Sequence, residues 1–450
     1  MKTYVKVILI VVTVLFLGVG YVAYHIYQLV NGSEAIAGKR GEVPVPAQPA
    51  DIPPLSAGES DWPNWRGVSF DGKSSARGIA TNWAGGLKKI WQVDYLCQDQ
   101  ATASWSAPVV RGNRLVTPGR NAGSDLVFCI NADTGKLIWM SSYEALAGTS
   151  HGPGARATPF IDGERVYTFG RSGDLACWQL LDGKLLWRKN VKDEGGVEPD
   201  WGYSGTPLVL GGKVIVQGGG KALVIAYDKG NGAVLWKSME GTAGYSASIP
   251  VPGAGGSTNI LVYHAKALSC LNSTDGKEIW RAPWETKYGV NATTPARENS
   301  IIFHTSAYKM GCEALLLKEG GFSLLWKNDV IAAQHTDPVI INGYVYCYSG
   351  DSSSNKGQFK CLELATGKEM WSTDQVGQGT TTFADGYLIC FDIKGNLFLV
   401  RPDPSGFIKA GEVSKAMDEV GNSAWTVPVV ANGKLYVRYM QKLVCYNLLP

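Results

Sequence analysis

The chain has 450 residues, of which 45% are hydrophobic and 18% are charged, so it can bury a substantial core and is not a disordered protein. The 42 basic and 39 acidic residues give a net charge of +3, which argues against a nucleic acid as the main partner. Fifty-five glycines, 21 prolines and 15 tryptophans are typical of a turn-rich chain of short strands and exclude an all-helical fold.

Residues 1–30 predict a cytoplasmic N-terminus followed by a transmembrane signal anchor. The run from Val7 to Val30 contains no charged side chain and, at roughly 36 Å as a helix, is long enough to cross a bilayer. Two lysines precede the run, and the positive-inside tendency then places the rest of the chain in the periplasm, held at the inner membrane by a single pass. A cleaved signal peptide is the alternative, because Ala35-Ile36-Ala37 resembles a cleavage site, but the run is longer than a usual signal sequence.

Residues 31–60 predict a linker. They are rich in proline, alanine and glycine and have no periodic apolar pattern, which is typical of an extended tether. We therefore expect a domain that begins at Asp61 and is held away from the membrane.

A repeat that ends in tryptophan organises residues 61–450. Its tryptophans recur every 44 to 49 residues, in the segments NADTGKLIW, LLDGKLLW, KGNGAVLW, STDGKEIW, KEGGFSLLW and LATGKEMW. Each copy also contains a short strand pattern with proline, a turn and a β-rich run, which together make about four strands. This period predicts the blades of a β-propeller, in which each blade buries its faces on its neighbours.

The strand patterns predict an eight-bladed β-propeller with four-stranded antiparallel blades. The first strands begin near Ser106, Ala157, Gly205, Ser246, Ala292, Thr336, Thr380 and Trp425. The last copy ends without a tryptophan segment, whereas an orphan segment, KKIWQVD, precedes the first blade, and we expect it to complete blade eight. The seventh copy has Ala410 where the tryptophan is expected, so we expect that blade to dock less tightly.

The repeat residues are interpreted as structural. The repeat glycines suit a turn with positive φ, and the tryptophan four residues later can bury a large apolar surface between blades. These blade-docking tryptophans are Trp91, Trp139, Trp187, Trp236, Trp280, Trp326 and Trp371. Several cysteines share one repeat position that Ala226 takes in the third copy, so we expect packing groups there rather than disulfides. A bond between Cys347 and Cys361 across one hairpin is the alternative.

The segments DGKLLW and ATGKEMW resemble the tryptophan-docking repeat of pyrroloquinoline-quinone-type propellers, a family that includes quinoprotein dehydrogenases and the outer-membrane assembly factor BamB. The opening DWPNWRGVSFDG, with WGYSGTPLV and AYDKGNGAVLW, resembles an envelope branch of that family. The resemblance covers nearly all of residues 61–450 and implies the propeller fold, which hosts both catalysts and scaffolds. The chain lacks the vicinal cysteine pair that is associated with many quinoprotein alcohol dehydrogenases, which disfavours a redox enzyme.

One group of side chains is a candidate binding site. The innermost strand of each blade lines the axial channel, so the residue three before the strand proline is expected near one mouth of that channel. With their aromatic neighbours, these residues form a candidate funnel of Trp105, Arg156, Trp201, Tyr203, Tyr245, His335 and Trp425. Such a mouth suits a planar anionic cofactor, a peptide or a glycan. The alternative is that these side chains only fill and solvate the channel. No catalytic residue and no metal site is predicted, because the histidines are scattered and the inner-strand set contains a single acid, Asp337.

Three functions remain open. The first is a non-catalytic scaffold that resembles BamB, with envelope or outer-membrane proteins as partners and no cofactor. The second is a dehydrogenase of alcohols or sugars, which would need pyrroloquinoline quinone, calcium and a carboxylate base. The third is carbohydrate or peptide binding. The scaffold is favoured, because the inner strands offer little acid and the short blades leave little room for the insertions that build a substrate pocket.

Overall fold

The computed structural model describes residues 41–48, 52–98, 102–146, 152–350, 357–418 and 425–450. In these ranges the strands form eight sheets with four antiparallel strands each, and the seventh sheet has a further short parallel strand. The eight-bladed propeller predicted from the repeat is therefore confirmed.

Helices are short in the part of the chain that the structure describes. They are 3-10 segments at Val191–Glu194, Ala254–Gly256 and Lys287–Gly289. Among the described residues, no helix has the length and apolar character needed to cross a membrane. The anchor predicted at residues 7–30 lies outside the described residues.

Strands β1 (Lys73–Ser74) and β2 (Lys89–Val93) precede the first blade. Blade one contains β3 (Val109–Arg111), β4 (Arg114–Arg120), β5 (Ser124–Asn131) and β6 (Leu137–Glu144), and blade two contains β7 (Phe160–Asp162), β8 (Arg165–Phe169), β9 (Asp174–Gln179) and β10 (Leu185–Asn190). Blade three contains β11 (Leu208–Leu210), β12 (Lys213–Gln217), β13 (Val224–Asp228) and β14 (Val234–Ser238), and blade four contains β15 (Ile249–Pro252), β16 (Thr258–His264), β17 (Ala267–Asn272) and β18 (Glu278–Pro283). Blade five contains β19 (Ala296–Glu298), β20 (Ile301–Ser306), β21 (Gly311–Lys318) and β22 (Gly321–Asn328), and blade six contains β23 (Val339–Ile341), β24 (Tyr344–Ser349), β25 (Gln358–Glu363) and β26 (Glu369–Thr373). Blade seven contains β27 (Gly379–Ala384), β28 (Tyr387–Asp392), β29 (Leu397–Arg401) and β30 (Ile408–Val413), and blade eight contains β31 (Val429–Ala431), β32 (Lys434–Tyr439) and β33 (Lys442–Asn447). First strands of neighbouring blades contact each other, so they lie around the axis.

The repeat tryptophan lies at a bulge in the fourth strand of its blade. In blade one Trp139 pairs with Cys129, and Ile138 is the extra residue that shifts the register. Gly183 of the next blade has φ 74°, and a Cβ atom there would lie 2.5 Å from Cε3 of Trp139. The glycine is required for both the turn and the space, which explains why glycine and tryptophan repeat together.

The same contact recurs around the ring. Repeat glycines lie in this way against the tryptophan of the preceding blade in the pairs Gly135–Trp91, Gly232–Trp187, Gly276–Trp236 and Gly367–Trp326. Several indole Nε1 atoms donate to a carbonyl oxygen of the next blade, in the pairs Trp91–Ala132, Trp139–Leu180, Trp187–Lys229, Trp326–Leu364 and Trp371–Asp403. Trp280 instead contacts Phe322, with ring centroids 4.9 Å apart. The repeat indoles therefore join these blades to the next ones.

The two ends of the domain meet in blade eight. Strand β2 pairs with β33, and Trp91 lies opposite Cys445, which is the pairing that the repeat makes in the other blades. The expected completion of blade eight by the N-terminal strand is confirmed.

The seventh blade differs from the expectation. Its bulge falls between Lys409 and Gly411, so the tryptophan position is Gly411, opposite Leu399, and not Ala410. Trp83, which precedes the first blade, covers this position: it is 1% exposed, and a Cβ atom on Gly411 would lie 2.9 Å from its Cβ. The seventh copy thus lacks its own tryptophan but not an indole, and the expectation that this blade docks less tightly stays a prediction.

Residues 60–76, here called the axial segment, contact the inner strands of several blades. Their bonds reach blades one, two, six, seven and eight, in the pairs Trp62–Val110, Pro63–Ile161, Arg66–Pro338, Gly72–Phe383 and Ser74–Val430. Because blades two and six lie across the ring from each other, the axial segment crosses the axis. The repeat pattern did not predict this.

The described part of the predicted linker contacts the propeller. The amide of Gly41 donates to the carbonyl of Asp94 at 3.3 Å, and Asn113 Nδ2 donates to the carbonyl of Pro54 at 2.9 Å. Ser60 donates its amide to Asn432 Oδ1 at 2.8 Å. Residues 41–48 and 52–60 therefore belong with the propeller rather than standing off from it as a free tether.

All nine cysteines are free and buried. Those in the shared repeat position lie opposite the tryptophan of the fourth strand, as Cys361 does opposite Trp371. Tyr346, and not Cys347, is the residue of β24 that faces Cys361, so the alternative disulfide does not form. Burial raises the pKa of the Cys177 thiol to about 11, which keeps it protonated and unreactive. The cysteines are packing groups.

Candidate functional site

A cavity of about 570 Å³, here called the axial cavity, lies at the centre of the ring. The residue three before the inner-strand proline lines it in blades one to six and in blade eight, as Trp105, Arg156, Ser204, Ala247, Ala292, His335 and Trp425. Trp201 and Tyr245 line it as well. The structure thus brings together six of the seven candidate funnel residues, and their role in binding stays a prediction.

Tyr203 is the candidate that the structure places elsewhere. Its ring is buried against Phe169, with centroids 5.2 Å apart, and its hydroxyl donates to the carbonyl of Gly218 at 2.7 Å. Successive side chains of an extended segment point to opposite sides. Ser204 therefore takes the position at the cavity, and Tyr203 packs in the core.

Arg156 gives the axial cavity its charge. It is the one Arg, Lys, Asp or Glu among the described residues that line the cavity. Its guanidinium donates to the carbonyl oxygens of Trp201 and Gly152. Burial lowers the pKa of Arg156 to about 10, and the neighbouring Arg171 guanidinium adds to the decrease. At neutral pH the group stays protonated, so the cavity wall carries a partly desolvated positive charge.

An aromatic stack from blades one, six and eight forms another part of the wall. The ring centroids of Trp105 and Trp425 lie 4.8 Å apart, and those of His335 and Trp425 lie 5.0 Å apart. Tyr439 packs edge-on against Trp105 at 5.6 Å. Tilted and edge-to-face contacts are the favourable geometries of aromatic pairs. The rings therefore hold each other in place without a ligand.

Tyr288 and Tyr308 line the cavity too, although the repeat spacing does not predict them. Their ring centroids lie 5.7 Å apart with an interplanar angle of 78°, and Gln334 Nε2 donates to the Tyr308 hydroxyl at 3.0 Å. Tyr288 lies in the 3-10 segment Lys287–Gly289 and Tyr308 in a turn. Both are outside the repeated positions, so the spacing that identified the other residues does not reach them. The one signal in the sequence for these two residues was an aromatic side chain in a connection between strands.

Trp65 of the axial segment also lines the cavity, and Asp337 holds it there. The Trp65 Nε1 donates to Asp337 Oδ2 at 2.6 Å, and Arg66 Nη1 lies 3.2 Å from the same oxygen. The amide of Thr294 donates to Asp337 Oδ1 at 2.6 Å. Both oxygens of this buried carboxylate are engaged, so Asp337 anchors the axial segment. The tryptophans and arginine of DWPNWRG, which lie outside the repeat, were the sequence signal for this role.

The described residues that line the axial cavity supply no carboxylate ligand for calcium with pyrroloquinoline quinone. Calcium takes about six to eight oxygen ligands and prefers carboxylates, but the described lining residues include no Asp or Glu. In the described ranges no group of three or more His, Cys, Asp or Glu side chains could hold a metal ion. The oxygen donors of the described lining residues are neutral.

A comparison with protein families identifies the repeat. The family model described as outer membrane protein assembly factor BamB matches residues 123–373 and 264–448. The BamB of Yersinia pestis is 23% identical over 337 residues, which cover 70% of this chain and 77% of that protein. The BamB of Moranella endobia is 26% identical over 264 residues, which cover 54% of this chain and 64% of that protein.

Solved structures share the fold. The structure of BamB from Moraxella catarrhalis matches with a TM-score of 0.56 and 14% identity, over 80% of this chain and 97% of that chain. The quinohemoprotein alcohol dehydrogenase from Comamonas testosteroni matches with a TM-score of 0.62 and 13% identity, over 87% of this chain and 81% of that chain. At these identities the likeness shows the fold alone, which scaffolds and catalysts have in common.

Proposed function

The chain belongs to the family described as outer membrane protein assembly factor BamB, and on this basis we propose that it is a non-catalytic protein-interaction scaffold of the cell envelope. In this proposal the apolar run at residues 7–30 holds the protein at the inner membrane as a single-pass anchor. The propeller then lies in the periplasm, and its partners are envelope or outer-membrane proteins. No cofactor is needed for this role.

The observation that carries the proposal is the position of Asp337. A dehydrogenase of this fold needs a carboxylate base that can take a proton beside the substrate. Asp337 is buried, and its oxygens accept hydrogen bonds from Trp65 and Thr294 and lie beside Arg66. Because the described residues that line the axial cavity contain no acid, the central site favours a scaffold over a redox enzyme.

The outer strands of blades two and three offer a surface for a protein partner. Leu185 and Leu186 in β10 are 43% and 39% exposed, and Leu235 in β14 is 48% exposed. Exposed apolar side chains can mark interaction sites, and an outermost strand can pair with an extended partner segment. We assign the partner surface to these two adjacent blades.

Crosslinking in the native host tests this surface. The full chain is crosslinked in living cells and purified, and outer-membrane assembly proteins bound to it are quantified by mass spectrometry. Substitution of both Leu186→Lys and Leu235→Lys is expected to decrease their recovery about tenfold, because buried apolar contacts give an interface most of its energy. The matched control is Leu324→Lys with Leu325→Lys, two exposed leucines of blade five, which is expected to leave the recovery unchanged.

Two results would contradict the proposal. Equal recovery with both double variants and the unchanged chain would remove blades two and three as the partner surface. Dye reduction by the purified chain, given an alcohol or sugar with pyrroloquinoline quinone and calcium, would show a dehydrogenase instead of a non-catalytic scaffold.

A further inference from the structure

A polar pocket of about 370 Å³, here called the side pocket, lies where blades six and seven meet. Its described lining comes from the start of β25, from the connection between β26 and β27, and from the turn between β28 and β29. It shares no described residue with the axial cavity. Neither the repeat nor the scaffold role gives this pocket a function.

Gln378 supplies the side pocket with a buried hydrogen-bond acceptor. Its side chain is 2% exposed, and in the part of the chain that the structure describes its Oε1 accepts no hydrogen bond. An added Cβ atom on Gly357 would overlap this oxygen, so only glycine leaves room for it. A buried polar atom without a partner costs free energy, which a ligand that donates a hydrogen bond would recover.

Two carboxylates also line the side pocket, and neither forms a salt bridge with the described residues. Asp392 is 3% exposed and accepts hydrogen bonds from neutral groups, namely the amides of Lys394 and Asn396 and the Nδ2 of Asn396. Burial raises the pKa of Asp392, and the Lys394 ammonium only partly opposes this increase. Asp374 is exposed. A cation that binds between these groups would stabilise their charged forms.

The lining favours an organic cation over a metal ion. Asp374 and Asp392 outnumber Lys394, which is the one basic residue among the described residues of the lining. Calcium takes about six to eight oxygen ligands, whereas two carboxylates line this pocket and the described ranges contain no metal-binding group of three or more acids, histidines or cysteines. Ammonium and guanidinium groups donate several N–H bonds each, and the pocket volume lies within the range of roughly 300–1,000 Å³ that is usual for small-molecule sites.

We propose that the side pocket binds an organic cation through a primary ammonium or guanidinium group, which donates hydrogen bonds to Asp374, Asp392 and Gln378. This inference goes beyond the scaffold role and does not depend on it. The same group occurs on free polyamines and on the Lys and Arg side chains of proteins, and the probes below separate these two sources. The whole chain has a net charge of +3, so general attraction of cations does not account for binding at this place.

Isothermal titration calorimetry on the full chain in detergent micelles tests the inference. The cationic probes are putrescine, agmatine and a Gly-Arg-Gly peptide with blocked ends; 1,4-butanediol is the neutral counterpart of putrescine, and calcium chloride is the metal control. We expect saturable binding of at least one cationic probe and none of 1,4-butanediol up to about 10 mM. Binding of the free amines alone assigns the pocket to small molecules, whereas binding of the peptide assigns it to a partner's side chain.

Three results would overturn the proposal at this stage. The first is the absence of saturable binding by every cationic probe up to about 10 mM. The second is equal affinity for putrescine and 1,4-butanediol, which would mean that charge plays no part. The third is saturable binding of calcium alone, which would show a metal site instead.

Substitutions of charged residues locate the ligand in the side pocket. Asp374→Asn removes an exposed carboxylate and is expected to weaken binding about tenfold, whereas Lys394→Gln removes the opposing charge and is expected to tighten binding about threefold. Glu319→Gln, at an exposed acid of blade five, makes the same change of charge outside the pocket and is expected to leave the affinity unchanged. Equal affinities of the Asp374→Asn and Glu319→Gln chains would overturn the proposal.

The buried acceptor has a test of its own. Gln378→Leu removes Oε1 at similar volume, so it is expected to weaken binding about fivefold without lowering the melting temperature, because no hydrogen bond to this oxygen is lost. Thermal melting checks that each variant is folded. If Asp374→Asn does not fold, Lys394→Gln decides, and an affinity equal to that of the unchanged chain would overturn the proposal. Because partner recovery in cells is a separate readout, failure here leaves the scaffold proposal in place.

Discussion

Two contacts between neighbouring blades, here called seams, each place an indole against a glycine. The indole comes from a different part of the chain in each seam. Between blades one and two, Trp139 of the repeat lies against Gly183 of the next copy. At the outer strand of blade seven, Gly411 stands in the tryptophan position, and Trp83 from the segment before the first blade covers it. The first seam is encoded by neighbouring repeats. The second, here called the closing seam, forms only when the ends of the domain meet.

The comparison shows that the same contact between an indole and a glycine joins blades in two ways, with the indole from a neighbouring repeat or from a distant segment. A repeated seam needs only that two consecutive blades fold, because its residues lie in adjacent copies. The closing seam depends on the long-range contacts that hold residues 60–98 to blades seven and eight, such as the Ser74 to Val430 bond across 356 residues. We expect the closing seam to control the cooperativity of the whole ring.

The strongest way to break the closing seam is to remove it. A chain that starts at residue 94 loses β2, Trp83 and Trp91 together, and each buried tryptophan contributes about 3–5 kcal/mol, which is a large part of the roughly 5–15 kcal/mol that stabilises a domain. We expect this chain to lose its cooperative unfolding transition in circular dichroism. A chain that starts at residue 41 is the control and is expected to melt cooperatively. Equal melting temperatures would refute the closure of the ring by β2.

Single substitutions measure whether the two seams are equally strong. Trp83→Ala and Trp139→Ala each remove a buried indole, and each is expected to decrease the free energy of unfolding by about 3–5 kcal/mol in urea titrations. Trp280 is only partly buried and packs against Phe322. Trp280→Ala is therefore expected to cost about 1–2 kcal/mol. A Trp83→Ala chain as stable as the unchanged protein would show that the borrowed indole does not replace a repeat tryptophan.

The glycine side of a repeated seam gives a smaller effect. Gly183→Ala combines a positive φ of 74° with a Cβ atom 2.5 Å from Trp139, so we expect a loss of about 3 kcal/mol. Gly211 has φ 58° and no atom within 4 Å of the added Cβ, so Gly211→Ala is expected to cost about 1 kcal/mol. Urea titrations of both variants give the difference. Equal losses would mean that the turn alone, and not contact with the indole, selects glycine in the repeat.

Acidification is expected to act on the repeated blades rather than on the closing seam. Burial lowers the pKa of His264 in blade four from 6.5 to about 4. Because the unfolded chain takes up the proton at a higher pH than the folded chain, the stability that neutral His264 contributes is complete above about pH 6.5. It is lost as the pH falls toward about 4, and about 2 kcal/mol of it is gone at pH 5. Residues 60–98 and 425–450 contain no histidine.

Urea unfolding at pH 7 and pH 5 measures this effect. The decrease in stability between the two pH values is expected to be smaller by about 2 kcal/mol in His264→Gln than in the unchanged chain. The Trp83→Ala chain is the matched comparison, and it is expected to retain the full pH dependence. A pH dependence that is the same with and without His264 would show that burial does not disfavour its charged form.

Much of the axial cavity was predictable for the same reason as the repeated seams. The proline of each inner strand recurs at one position, so a fixed spacing from it identified Trp105, Arg156, His335 and Trp425 as neighbours in space. The prediction that Tyr203 lines the cavity was wrong because side chains alternate along an extended segment. A shift of one position moves a side chain from the cavity to the core. A pattern of spacing predicts the place of the backbone better than the direction of each side chain.

The sequence by itself determined the number of blades, their order and the completion of blade eight by KKIWQVD, because each follows from contacts that recur between adjacent copies. Only the tertiary structure decided that Trp83 covers Gly411 and that Asp337 anchors Trp65 from 272 residues away. Tyr288 and Tyr308 likewise meet at the cavity rim from outside the repeat. These contacts have no period in the chain, since they form between single residues that closure of the ring brings together.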